Sequence, residues 1–180
     1  MKKRIVVGIV LILLLSSTAG AFAASSPLPW MVSYNKPGQF NVYGSVGFYG
    51  LGIDINAGPE IILGQFDIAG IPLEWGVMAR GMIGFSAFLG YSWLDWAVAP
   101  AATLHWGVDL GAPWQFDWYI GLGLGISGST GTYYSYTGVG FGFASFDGVA
   151  WHFSKNLALV VEYGYTQYLS TAGVGVKLAL

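Results

Sequence analysis

Phe116-Asp117-Trp118-Tyr119-Ile120-Gly121-Leu122-Gly123-Leu124-Gly125-Ile126-Ser127 decides the fold class. Every second residue is large and apolar: Phe116, Trp118, Ile120, Leu122, Leu124 and Ile126. Between them stand Asp117, Tyr119, Gly121, Gly123, Gly125 and Ser127. A period of two belongs to a β-strand whose faces meet different surroundings. Three glycines within so short a run also argue against a helix.

The same alternation recurs on both sides of this run. Eight strands are expected, at 40–49, 52–64, 73–84, 93–107, 116–127, 138–153, 157–166 and 172–180. Their apolar faces carry residues such as Val42, Val46 and Phe48, then Ile53 and Ile55, then Trp75 and Val77. The closing run continues this with Val174, Val176 and Leu178. Two irregularities are expected. Pro100 cannot donate to a ladder and suggests a bulge in the fourth run. Asp147 falls on the apolar face of the sixth, which suggests a bulge or local end near 146–148.

The charges decide which way the barrel faces. Asp54, Glu60, Glu74, Arg80, Asp95, Asp117, Glu162 and Lys177 all take the small or polar side of their strands. Arg or Lys facing lipid at mid-membrane costs about 2–4 kcal/mol, so the apolar face points to lipid and the charged face lines a lumen. A soluble barrel would invert that arrangement. The expected fold is therefore all-β: an eight-stranded antiparallel up-and-down transmembrane β-barrel over residues 39–180.

Composition agrees. Hydrophobic residues make up 54% and charged residues 9%, against roughly 25% charged in ordinary domains. The 28 glycines, 11 Tyr, 11 Phe and 8 Trp suit a barrel with interfacial aromatic rings. Residues 1–23 have the parts of a secretory signal: Lys2, Lys3 and Arg4, the apolar run Ile5–Leu15, and the small-x-small site Ala21-Phe22-Ala23. Residues 24–38, with Pro27, Pro29 and Pro37, read as an extended lead-in. Without the signal, four cations (Lys36, Arg80, Lys155 and Lys177) face nine carboxylates, a net charge of −5. So few cations leave no basic stripe for nucleic acid. The absence of cysteine excludes disulfides, thiolate metal sites and a cysteine nucleophile.

An even strand number sets both ends of the mature chain on the periplasmic side. Turns near 65–72, 108–115 and 154–156 then face the periplasm, and those near 50–51, 85–92, 128–137 and 167–171 face outward. Trp75, Trp106, Trp118, Trp151 and Phe153 form one aromatic belt; Phe48, Phe85, Trp93, Trp96 and Tyr165 form the other.

The export signal, the eight strands and the closing alternation Val174-x-Val176-x-Leu178-x-Leu180 resemble the small OmpA/OmpX-like outer-membrane barrels, with OmpW-like barrels as second choice. The resemblance implies a multi-pass protein of the cell outer membrane of a diderm bacterium. Its partners would be outer-membrane lipid and the barrel-assembly machinery during insertion. It also implies a non-enzymatic structural or surface-interaction role. The alternative is a narrow pore for water, ions or small apolar solutes.

The remaining motifs weigh little. Gly123-x-Gly125-x-x-Gly128 matches a dinucleotide fingerprint by letter, yet no helix follows. His105 and His152 each have carboxylates to bond, so no metal, cofactor or catalytic role is assigned. The candidate functional group is the lumen charge network: Glu60, Glu74, Arg80, Asp95, Glu162 and Lys177. Lys177 is expected near Glu162, and Arg80 among Glu60, Glu74 and Asp95. Such a network either rigidifies a filled lumen or forms the constriction of a pore. Gly121, Gly123 and Gly125 beside Gly140 and Gly142 leave volume that solvent, a ligand or a folded-over aromatic could occupy.

Overall fold

The computed structural model describes residues 28–49, 51–131, 138–167 and 169–180. The expected signal over 1–23 and the Tyr133-Tyr134-Ser135-Tyr136 cluster lie outside them. A two-residue strand, β1 (Met31–Val32), precedes eight long ones. These are β2 (Phe40–Tyr49), β3 (Gly52–Ile68), β4 (Ile71–Phe88), β5 (Tyr91–Asp109), β6 (Gln115–Gly131), β7 (Gly138–His152), β8 (Leu157–Tyr165) and β9 (Ser170–Ala179). Each pairs antiparallel with its sequence neighbours, and β9 returns to pair with β2, which closes the wall. All eight expected strands are present.

The register fixes the barrel's shape. From Phe40 the ladder partners run Ile61, Val77, Ala102, Leu122, Ser145, Tyr165 and Ser170. Ser170 stands two residues before Ala172, whose partner on β2 is Phe48. One circuit therefore returns about ten residues further along β2. A stagger of that size over eight strands corresponds to a tilt of about 40°.

Alternation sorts the side chains as the charges required. Val46, Phe48, Ile55, Ile83, Val98, Leu124, Phe141 and Val174 are exposed on the outer surface. Asp54, Glu60, Glu74, Arg80, Asp95, Asp117, Glu162 and Lys177 are buried inside. Aromatics cluster around β6 and β7 at the end that holds Leu180, the end expected to be periplasmic. Trp114 and Trp151 lie nearly parallel with centroids 6.0 Å apart, and Phe116, Trp118 and Phe153 join them. Trp93 shares the lumen-facing parity of Asp95 and Ala97 and so drops out of the outer ring.

Three local expectations are corrected. The strands outrun the expected turns, because Ala69-Gly70 and Leu89-Gly90 make two-residue hairpins with positive φ at both positions. Such turns match strand twist, so pairing continues to the last residue before each one. Pro100 makes no bulge: pairing between β5 and β6 lapses around it, while the register is the same on either side. The one register shift along β3 and β4 falls between Ile62 and Gly64. There the Trp75 indole lies where a Cβ on Gly64 would stand. Asp147 causes no break either. The ladder to β6 runs unbroken through 138–151, and Asp147 simply faces outward.

Candidate functional site

The lumen divides into three levels. At the periplasmic level, β3, β4, β5, β6 and β9 turn Glu60, Glu74, His105, Asp117 and Lys177 inward, all fully buried. Lys177 Nζ donates to Asp117 Oδ2 at 2.7 Å and to Asn35 Oδ1 at 2.7 Å. His105 sets Nε2 2.8 Å from Glu60 and Nδ1 3.2 Å from Asp117. A neutral ring donates from only one nitrogen. An imidazolium satisfies both carboxylates and offsets part of the local negative charge.

Asn35 ties this level together, and it comes from the lead-in. After β1 pairs with the periplasmic end of β5, the chain turns into the barrel mouth. The Asn35 backbone N–H donates to Glu74 Oε1 at 3.0 Å, and its Nδ2 donates to Glu74 Oε2 and, at 3.2 Å, to Asp117. Gln65 donates to the Asn35 carbonyl at 2.6 Å. Gln39 links Asn35 to Asn41, and Asn41 donates to Glu60. Within the segment expected to be an extended lead-in, Asn35 thus plugs the mouth of the barrel. Below it a cavity of about 440 Å³, lined in part by Tyr34, Lys36, Gln39, His152 and Lys155, opens at the same end of the barrel. Tyr34 stacks on His152 with centroids 4.5 Å apart. Burial, with Asp109 and Asp117 nearby, pushes its hydroxyl pKa up, so it stays protonated.

At the middle level Arg80 pairs with Glu162: Nη2 to Oε2 is 2.9 Å and Nε to Oε1 is 3.3 Å. Tyr119 donates to the same Glu162 oxygen at 2.6 Å. The guanidinium lies 4.1 Å from the Tyr43 ring centroid, and the Tyr43 hydroxyl donates to Glu60 at 2.7 Å. Tyr43 therefore joins the two charged levels.

Apolar side chains fill the space around and beyond Arg80: Met78, which precedes it on β4, Met82, which follows it, and Phe146 beside it are buried with Ala97, Ala99, Ala101 and Ala144. Met78, from β4, and Phe146, the cross-strand partner of Gly121 on β7, pack closely against Gly121. At the outer level Asn56 donates to Asp54 and to Thr171, each at 3.0 Å. Asp54 Oδ1, Asn56 Oδ1 and Ser127 Oγ have no partner among the described residues.

All six expected network residues face inward, but their partners differ from expectation. Arg80 binds Glu162 and not Glu60, Glu74 or Asp95; Lys177 binds Asp117 and not Glu162. The circuit's stagger is the cause, since it brings residues together by height on a tilted wall rather than by strand adjacency. Asp95 lies apart, in the outer half. Asn35, His105, Asp117, Tyr43 and Tyr119 belong in the network as well. For all of these except Asn35 the strand parity already carried the signal.

Glu74, His105 and Asp117 bring ligand atoms within 4.8 Å of one another, a spacing a cation would accept. Lys177 and Asn35 already bond the Asp117 and Glu74 carboxylates, so the charge a metal would supply is largely in place.

A closed eight-stranded wall with an apolar exterior, an aromatic cluster at one end and an ionic interior defines a small transmembrane β-barrel. No family model and no curated protein matches the chain. Among solved structures, the outer membrane enzyme PagL is similar at 16% identity with a TM-score of 0.51, covering 77% of this chain and 98% of its own. The N-terminal β-barrel domain of Pseudomonas aeruginosa OprF has 14% identity and a TM-score of 0.48, covering 81% and 100%. Neisserial surface protein A has 13% and 0.48, covering 78% and 94%. The likeness to PagL is one of fold.

Proposed function

We propose that this protein is a non-conducting, non-enzymatic barrel of the outer membrane with a structural or surface-interaction role. On this reading it is exported through a signal cleaved after Ala23 and inserted by the barrel-assembly machinery. One observation carries the proposal: Met78, Met82 and Phe146 pack around the buried Arg80–Glu162 pair, and Asn35 plugs one mouth of the barrel. An ion crossing this lumen would shed its water against methionine and phenylalanine and then displace two buried ion pairs. The His105 ring also supports a non-enzymatic reading, since carboxylates engage both its nitrogens. It has no free nitrogen to attack or deprotonate a lipid substrate.

Proteoliposomes provide the test. Loaded vesicles should show the same water and glycerol flux as empty ones once gel mobility confirms folding. Flux that rises in proportion to folded protein would instead make this a pore.

A further inference from the structure

One wall of the barrel breaks the apolar rule. The outward residues of β7 run Phe141, Phe143, Ser145, Asp147, Val149 and Trp151, and Asp147 is exposed among them. Trp151 belongs to the aromatic cluster at the expected periplasmic end. Four residues of tilted strand raise Asp147 about 10 Å above it, inside an apolar band about 25 Å tall. No hydrogen bond or ion pair to the Asp147 carboxylate is found among the described residues. Beside it lies a groove of about 430 Å³, whose lining includes Trp106, Trp118, Ile120, Val149, Val161 and Tyr163.

A carboxylate at that depth is costly unless it finds a donor. Tyr163 is its cross-strand neighbour on β8, Ser145 is the next outward residue on β7, and Tyr165 follows Tyr163 on β8. The opposite wall has no such group at this height: β3 and β4 present Ile55, Ala57, Val77, Ala79 and Ile83. The wall of β7–β9 thus carries an acceptor and several hydroxyl donors side by side.

We propose that this wall is where a second copy of the chain packs, making a two-fold dimer within the membrane. Complementarity of hydrogen-bond acceptor and donors, Asp147 against Tyr163, selects a second copy as the occupant. A two-fold axis along the membrane normal, passing between Asp147 and Tyr163, sets each carboxylate against the other copy's Tyr163 hydroxyl. The patch is then self-complementary, as an isologous interface requires. The Tyr163 hydroxyl, now 2.8 Å from Ser170 Oγ, can keep that contact as acceptor while donating across the interface. Ala172 and Ser170 are small outward residues on β9, which lets the walls approach. Polar contacts of this kind hold membrane-embedded partners together.

The chain lacks cysteine, so one introduced thiol reports on the interface. Val149→Cys, on the outward residue next below Asp147 and beside the axis, should form a disulfide-linked dimer on mild oxidation in a bilayer. Val77→Cys, at a similar height on the opposite wall, should not. Adding Asp147→Leu to Val149→Cys should lower the dimer yield about tenfold while the barrel stays folded, since the change removes a charge from lipid. Equal crosslinking from both walls, none from Val149→Cys, or a yield unchanged by Asp147→Leu would overturn the proposal. Wholly monomeric protein would leave Asp147 to a different partner and would overturn it equally.

Discussion

The periplasmic and outer halves of the lumen are lined by strands of the same alternation, yet they are built in opposite ways. In the periplasmic half, Glu60, Asp117 and Glu162 each meet a cation, Glu74 meets two donors of Asn35, and the members bond one another. In the outer half, Met82, Phe146 and alanines fill the space, and Asp54, Asn56 and Ser127 each retain an unpaired atom among the described residues. Removing one partner of a buried pair leaves an uncompensated charge, whereas a site with spare capacity loses little. Stability should therefore be concentrated in the periplasmic half.

Substitutions can break or sharpen that contrast, with unfolding midpoints in denaturant as the readout. Lys177→Glu should have the largest effect, since it places a fourth carboxylate beside Glu60, Glu74 and Asp117; failure to fold, or a loss above about 5 kcal/mol, is expected. Arg80→Ala comes next at about 3–5 kcal/mol, because Glu162 and Tyr119 stay buried. Asn35→Ala should cost about 1–3 kcal/mol, since Glu74 and Asp117 lose the Nδ2 donor and Lys177 loses the Oδ1 acceptor. Asp54→Asn, in the outer half, should stay within about 1 kcal/mol, as its Oδ1 already lacks a partner. Lys155→Glu, in the exposed turn between β7 and β8, should change stability by no more than about 0.5 kcal/mol. Equal midpoints for the Lys177 and Lys155 variants would refute the inward role of Lys177.

How much of this could be read from the sequence follows from the same physics. Strand parity depends on local alternation, so every strand and the inward face of Arg80, Lys177 and six carboxylates were legible. Pairing between charges depends on the stagger around the whole barrel, which no single strand encodes; that is why Arg80 and Lys177 were matched to the wrong acids. Asn35 sits in a proline-flanked segment with no alternation, and only its insertion into the mouth reveals its role. Asp147 misled in a more instructive way. Requiring each charge to face inward implied a bulge, whereas the ladder keeps its phase and leaves the carboxylate outward. The flanking Phe141, Phe143, Val149 and Trp151 bury more free energy by staying in lipid than one aspartate loses.

Single-channel recording of the refolded protein in a planar bilayer tests the sealed lumen most directly, with heat-modifiable gel mobility as proof of folding. A folded barrel without discrete openings, silent also when Asp54 is neutralised, is the expected result. Discrete openings whose conductance shifts when Arg80 is neutralised would contradict a sealed lumen and make Arg80–Glu162 the constriction of a pore.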